Sequence, residues 1–361
     1  MSVEVARQSP LRRMTETTPT CLWNDSASVE ELTSSIADGA VGATCNPVIV
    51  LDVLKREMAD WKSHIQRLSQ EMPSATEGEI GWRVVEDVSR RAADLLLPVF
   101  RKHEGRNGRL SIQTDPRLYR NTEALLEQAV YFSKLAPNII VKLPATAAGI
   151  RAIEEATYRG VCINATVSFT LPQCIAVAEA VERGLNRRSK EGRELGKIGA
   201  VCTIMVGRLD DWLKIAADRD GITLDPGAAD WAGVAVFKKA YRLFCERGYR
   251  MRLLSAAFRN HYHWSELIGG DIVISPPYKW QARFNQSEVP VVSRIQQPVE
   301  PAIVKQLCKL EDFRRAYEVD GMEEIEFDSY APTVRTLRQF LAACHDLERL
   351  IRDFMLPEPK S

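Results

Sequence analysis

What this 361-residue sequence lacks narrows its function before any motif is read. It has no excess of either charge, since 48 Lys and Arg face 48 Asp and Glu for a formal net charge of zero. Bulk electrostatics therefore gives no pull toward nucleic acid or an anionic membrane surface. No apolar run approaches the ~20 residues that a membrane-spanning helix needs. Residues 1–19 are polar, carry Arg7, Arg12 and Arg13, and contain no apolar stretch of signal-peptide type. They read as a flexible N-terminal segment, and residues 356–361 as a frayed tail. Eight cysteines are present, none in a CxxC pair. Cys45, Cys162 and Cys202 sit inside strand-like apolar runs, where they read as small buried hydrophobes. That usage fits a reducing, cytoplasmic setting better than a disulfide scaffold. Gly105-Arg106-Asn107-Gly108 is a turn without the context of a nucleotide-binding loop. His261-Tyr262-His263 has the spacing of a metal pair but no third ligand nearby, and reads as a plain loop. No metal or cofactor is expected.

The most informative stretch is Asn138-Ile139-Ile140-Val141-Lys142-Leu143-Pro144-Ala145-Thr146. A short apolar run rich in β-branched residues and closed by proline reads as a strand buried on both faces. Lys142 lies near its C-terminal end. An ammonium buried there either reaches solvent along its stem or shifts toward the neutral amine, a nucleophile for carbonyls and the route to a Schiff base.

The rest of the chain alternates in the same way. Strands are expected at Thr20–Trp23, Gly42–Pro47, Leu110–Pro116, Asn138–Thr146, Val161–Thr166, Ile198–Val206, Arg252–Ala256 and Asp271–Ile274. Between them lie helical stripes, and a last strong one carries Val334, Leu337, Leu341, Cys344, Leu347 and Ile351. Eight short strands alternating with amphipathic helices predict a single (β/α)8 barrel over residues 20–355 with a C-terminal helical extension. An open doubly wound sheet is the runner-up. In a barrel the reactive groups stand at the C-terminal ends of the strands. Asp25, Asn46, Gln113, Lys142, Asn164, Thr166, Thr203, Arg208 and Arg259 all fall there, a polar ring around one lysine.

Six strand-end motifs resemble those of the transaldolase family, in the family's order over about residues 20 to 280. They are Asn24-Asp25-Ser26, Ala43-Thr44-Cys45-Asn46-Pro47, Val141-Lys142-Leu143-Pro144-Ala145-Thr146, Asn164-Ala165-Thr166, Val206-Gly207-Arg208 and Ala257-Phe258-Arg259-Asn260. The resemblance implies a metal-free Schiff-base enzyme that moves a dihydroxyacetone unit between sugar phosphates. It makes Lys142 the Schiff-base lysine, Asp25 the acid/base, and Gln113 and Thr166 the partners of a catalytic water. Thr44, Asn46, Asn164 and Thr203 would bind substrate, and Arg208 and Arg259 its phosphate. Two arginines suit a phosphate dianion through forked, charge-assisted hydrogen bonds.

Three positions depart from the family pattern. Gln113 stands where transaldolases carry a glutamate, as in the related fructose 6-phosphate aldolases, which release free dihydroxyacetone. Met205 replaces the phenylalanine of most transaldolases and the tyrosine of those aldolases. Ala257 replaces a serine that assists the phosphate. The readings that follow are a transaldolase-like transferase, an aldolase, or a sugar-phosphate-binding paralogue with weak turnover. Sugar phosphates are the expected partners, nucleic acid and membrane are not, and a homodimer is left open.

Overall fold

Eight short parallel strands carry the architecture: β1 (Cys21–Asn24), β2 (Ala40–Cys45), β3 (Arg109–Gln113), β4 (Ile139–Pro144), β5 (Ile163–Ser168), β6 (Val201–Ile204), β7 (Arg252–Ala256) and β8 (Val273–Ser275). They belong to a computed structural model that describes residues 8–195 and 199–357. Each strand pairs with the next, and β8 pairs with β1 through Cys21↔Val273 and Leu22↔Ile274. That last ladder closes the barrel and rules out the open sheet. All eight strands fall where the apolar runs lie, with shifted ends. β6 stops at Ile204, and Val206 instead opens the helix Val206–Arg219.

Alternation along each strand sorts the side chains into two cores. Trp23, Ile140, Val201, Leu254 and Val273 meet in the lumen and form its apolar floor. Outward residues such as Val141, Leu143, Ile163 and Cys202 pack instead under the surrounding helices. Gly42 is required by this floor, because a Cβ there would meet the Trp23 indole at 2.5 Å. A lumen truncation such as Leu254→Ala should cost about 2–5 kcal/mol, since the ring of strands limits collapse into the cavity.

Lys142 lies two residues beyond Ile140 on the same face, so it stands directly above the apolar floor. Its register neighbours are Gln113 on β3 and Asn164 on β5. In-register residues of a sheet point to the same face, so all three project into the lumen.

Two expectations from the sequence need correction. The segment read as flexible to residue 19 contains a helix, Pro10–Thr17. Ser9 Oγ caps it by accepting from Arg12 N, proline occupies its first turn, and Leu11 and Met14 are fully buried. Residues 1–7 and 358–361, the rest of the expected flexible ends, lie outside the described residues. The His261–His263 stretch is not a plain loop, because it enters a short helix, Tyr262–Ser265. The helix Val29–Ala37 starts after Ser28, which makes no side-chain capping bond; Ser26 Oγ accepts from Ser28 N. Phe284 is stacked on Trp264 at 4.5 Å, and Trp280 is tilted against Phe284.

The chain ends in a 25-residue helix, Ala331–Met355. It buries Leu337, Cys344, Leu347 and Ile351 of the stripe read from the sequence, leaves Leu341 half-buried and Val334 exposed, and adds a buried Phe340. Its first half crosses the C-terminal mouth of the barrel. No helix among the described residues is long and apolar enough to cross a membrane.

Candidate active site

A cavity of about 480 Å³ opens at the C-terminal ends of the strands. Asp25, Asn46, Lys142, Thr166, Thr203, Met205, Arg208 and Arg259 all line it. A larger cleft of about 750 Å³ lies on the outside, walled by Glu71, Glu77, Glu79, Glu86 and Glu348. It contains none of the strand-end residues and has no lysine, so the lumen cavity is the chemically competent one.

Lys142 is only 6% exposed. Burial pushes its ammonium below the usual lysine range; Asp25 and Cys45 oppose that, and Arg208 adds to it. The desolvation penalty prevails, which makes the neutral, nucleophilic amine more accessible than in water. Burial also pushes the Cys45 thiol up to about 11, so it stays an inert neighbour.

Asp25 follows the last residue of β1 and accepts a short hydrogen bond from Thr44 Oγ1 on β2. Thr44 itself does not line the cavity, so its part is to orient the carboxylate. Asn164 has a similar internal place. It is fully buried, donates from Nδ2 to Ser111 Oγ at 2.9 Å and accepts from Thr203 Oγ1 at 2.7 Å. Both ends of its amide are thus engaged by protein, and it braces β3, β5 and β6 instead of facing the cavity. Asn46 spends its Oδ1 as the cap of the helix Pro47–Arg56, accepting from Ile49 N at 3.0 Å, and its amide nitrogen remains to donate into the cavity.

Buried polar atoms are normally paired, so those left over are informative. Gln113 Oε1, Thr166 Oγ1 and Arg208 Nε find no hydrogen-bond partner among the described residues. Gln113 and Thr166 lie on either side of Lys142, on β3 and β5. Arg208 lines the same cavity from the start of the helix that follows β6. The backbone beside Thr166 is strained: Val167, a β-branched residue, has φ 54° where the β5–β6 register shifts. Gln173 holds that turn by donating from Nε2 to Val167 O and Ala145 O, both at 3.1 Å.

The two arginines come from different elements. Arg208 is in the first turn of the helix Val206–Arg219, and Arg259 follows β7. Burial, then the nearby Arg259 charge, push Arg208 down to about 10, against the pull of Asp25 and Asp211. Arg259 Nε donates to Asp211 at 2.8 Å. Both arginines also face a smaller recess of about 240 Å³, together with Asp211, Arg335, Thr336 and Gln339.

Reasoning from strand ends found Arg208, which opens a helix, but missed the other helical contributions. Gln339 and Phe340 of the C-terminal helix close one wall, and Tyr278 and Lys279 another. Glu31, Asp52 and Arg56 form the rim, with Arg56 paired to Glu31. Only the placing of a polar Gln339 beside an apolar stripe would have hinted at it. No group of three His, Cys, Asp or Glu side chains among the described residues forms a metal-ligand cluster. His261 meets Ser265 while His263 turns inward to Asp210, so the two imidazoles do not converge.

A closed parallel barrel with one buried lysine ringed by amide, hydroxyl, carboxylate and guanidinium groups at its strand ends defines a lysine-centred (β/α)8 protein. The chain belongs to the transaldolase/fructose-6-phosphate aldolase family, whose model matches residues 22–349. It is 30% identical over 322 residues to a transaldolase of Thiobacillus denitrificans, covering 81% of this chain and 88% of that protein. It is 32% identical to transaldolase 2 of Streptomyces avermitilis, covering 62% of this chain and 61% of that protein. A Mycobacterium marinum transaldolase is 30% identical, covering 67% and 66%. The aligned part thus spans less than two thirds of the Streptomyces and Mycobacterium relatives.

Proposed function

We propose that this protein transfers a dihydroxyacetone unit from a ketose phosphate to an aldose phosphate through a Schiff base on Lys142. The observation that carries the reading is a buried lysine, with its ammonium held low, sharing one cavity with Asp25 and two arginines. Membership of the family and the name shared by the relatives support it.

The neutral Lys142 amine attacks the ketose carbonyl, and loss of water gives a protonated imine. Asp25 then accepts the proton of the hydroxyl on the far carbon of the bond to be broken, which becomes the carbonyl of the leaving aldose. That bond cleaves, its electron pair moves toward the imine, and an aldose phosphate leaves. The resulting enamine adds to the acceptor aldehyde, and Asp25 returns its proton to the new hydroxyl. Water hydrolyses the final imine and regenerates Lys142. Gln113 Oε1 and Thr166 Oγ1 orient the water used in imine formation and hydrolysis. Arg208 and Arg259 hold the substrate phosphate. The eight cysteines are all free thiols, which suits a cytoplasmic enzyme.

Gln113 favours a second reading as an aldolase that releases free dihydroxyacetone, because an amide orients water without exchanging its proton. A coupled assay decides between them. Cleavage of fructose 6-phosphate that needs an aldose phosphate acceptor supports the transferase. Cleavage at the same rate without one supports the aldolase. Binding without turnover in either arm, with no borohydride-stable adduct at Lys142, would leave only a binding paralogue.

A further inference from the structure

His263 and Asp210 form a hydrogen-bonded pair wholly inside the protein that the reaction above does not use. Both side chains are 0% exposed, and His263 Nε2 lies 2.7 Å from Asp210 Oδ2. On the other side of the ring, His263 Nδ1 accepts from the backbone N–H of Arg259 at 3.1 Å. A nitrogen that accepts carries no proton, so the proton of the neutral ring sits on Nε2 and points at the carboxylate. The neighbouring Asn260 agrees with this assignment. Its Oδ1 accepts from Tyr262 N at 2.9 Å, which fixes the amide and turns its NH2 toward Nε2 at 3.4 Å. Two donors facing each other make no hydrogen bond, so Asp210 is the acceptor that counts.

Asp210 is tied in turn to the scaffold. Its other oxygen accepts from Gly233 N at 2.8 Å, at the start of the helix Ala232–Arg247. Asp210 lies two residues after Arg208 on the helix Val206–Arg219. The pair therefore links the element that carries Arg208 to the loop that carries Arg259. That loop needs a tie, because Ala257 is held at φ 65°, a costly conformation for a residue with a side chain. Close packing completes the junction: a Cβ on Gly207 would meet Ala257 O at 2.0 Å, Arg259 Cγ at 2.6 Å and His263 Cε1 at 3.1 Å.

We propose that the buried His263–Asp210 pair is a positioning device that sets the spacing between Arg208 and Arg259 and so the affinity of the site for a phosphate dianion. The inference rests on the reading that these two arginines receive the substrate phosphate. His263 touches no substrate. It fixes the backbone of Arg259 in the one tautomer that can accept its N–H.

Conservative variants separate this role from plain packing. In Asp210→Asn, Oδ1 still accepts from Gly233 N, so the amide NH2 faces Nε2. The ring proton must then move to Nδ1, where it meets the Arg259 N–H. Affinity for fructose 6-phosphate and for inorganic phosphate, measured by calorimetry, should fall roughly 10- to 100-fold, the usual effect of losing a group that orients a binding residue. His263→Asn keeps a carbonyl near the place of Nδ1 and should recover most of that affinity. His263→Gln keeps a donor for Asp210 but loses the acceptor, and should not. Trapping of phosphate-free dihydroxyacetone at Lys142 with borohydride should proceed at the parent rate in all three. Equal losses with dihydroxyacetone and phosphorylated ligands, or unchanged phosphate affinity in Asp210→Asn, would overturn the proposal. A parent protein that binds no phosphate would overturn it together with the anion site. A parent that binds phosphate but traps no ketose would sink the transferase reading alone, with the phosphate affinities still deciding this one.

Discussion

Arg208 Nη1 donates to Gln339 Oε1 at 2.6 Å, although the two residues are 131 apart in the chain. The same nitrogen reaches Thr336 Oγ1 at 3.2 Å, while Nε has no partner among the described residues. The C-terminal helix thus holds one edge of the guanidinium and leaves the other for a ligand. It also supplies Arg335 to the recess that Arg208 and Arg259 share.

This arrangement predicts that Arg335 adds to phosphate binding from outside the barrel. Arg335→Ala should raise KM for phosphorylated substrates about tenfold, the worth of one charge-assisted contact of about 1.4 kcal/mol. Gln339→Ala should lower KM or leave it unchanged, since it frees a donor on Arg208. Steady-state kinetics with phosphorylated and phosphate-free donors reads both. If Arg335→Ala weakened the two donor types alike, the helix would be acting only as a wall.

Lys142→Met should abolish adduct formation and yet stabilise the fold. Burial lowers the folded-state pKa of Lys142 below the ordinary lysine value that applies when unfolded. Between those two values the unfolded chain binds more protons, so stability rises with pH there; below that window the folded protein carries the full desolvation cost. Methionine removes both the cost and the slope. Calorimetry should therefore give the variant a higher Tm at neutral pH, with the gap closing as pH climbs into the lysine range. A lower Tm at every pH would mean that the ammonium is well compensated. In the parent, the rate of imine formation should increase with pH up to the lowered value and then level off.

Asp25→Asn should still trap ketose at Lys142 while turnover falls by roughly two to four orders of magnitude, the usual worth of general acid–base catalysis. Thr44→Val, which removes the donor to Asp25, should cause a smaller loss of the same kind. Rapid-quench separation of adduct formation from cleavage checks this. Turnover at the parent rate in Asp25→Asn would remove the carboxylate from the mechanism.

Gln113→Glu should speed adduct formation and add an ionisation to the pH–rate profile. The amide beside Lys142 can orient water but cannot change protonation state near neutral pH, whereas a carboxylate can take and return its proton. A gain on ordinary ketose phosphates alongside a loss on one particular donor would instead mark Gln113 as matched to that donor. Losses on every substrate would refute both accounts.

The sequence by itself determined the barrel and the identity of most groups at its mouth. Eight short apolar runs closed by proline, glycine or polar stops are local signals, and strand alternation then fixes which side chains face the lumen. Hence the strand-end placing of Lys142, Asp25, Gln113 and Thr166 was legible from position, while their proposed roles came from the family resemblance. Tertiary structure decided what depends on contacts between distant segments. It turned Asn164 into a brace between Ser111 and Thr203, and Thr44 into the support of Asp25. It folded Pro10–Thr17 against the body through Leu11 and Met14. It laid the C-terminal helix over Arg208, and it buried His263 on Asp210 under the Arg259 loop. Local propensity cannot encode such pairings, because each joins residues well separated in the chain that only the folded barrel brings together. The chain carries the residue types in order, and the ring of strands converts that order into distance.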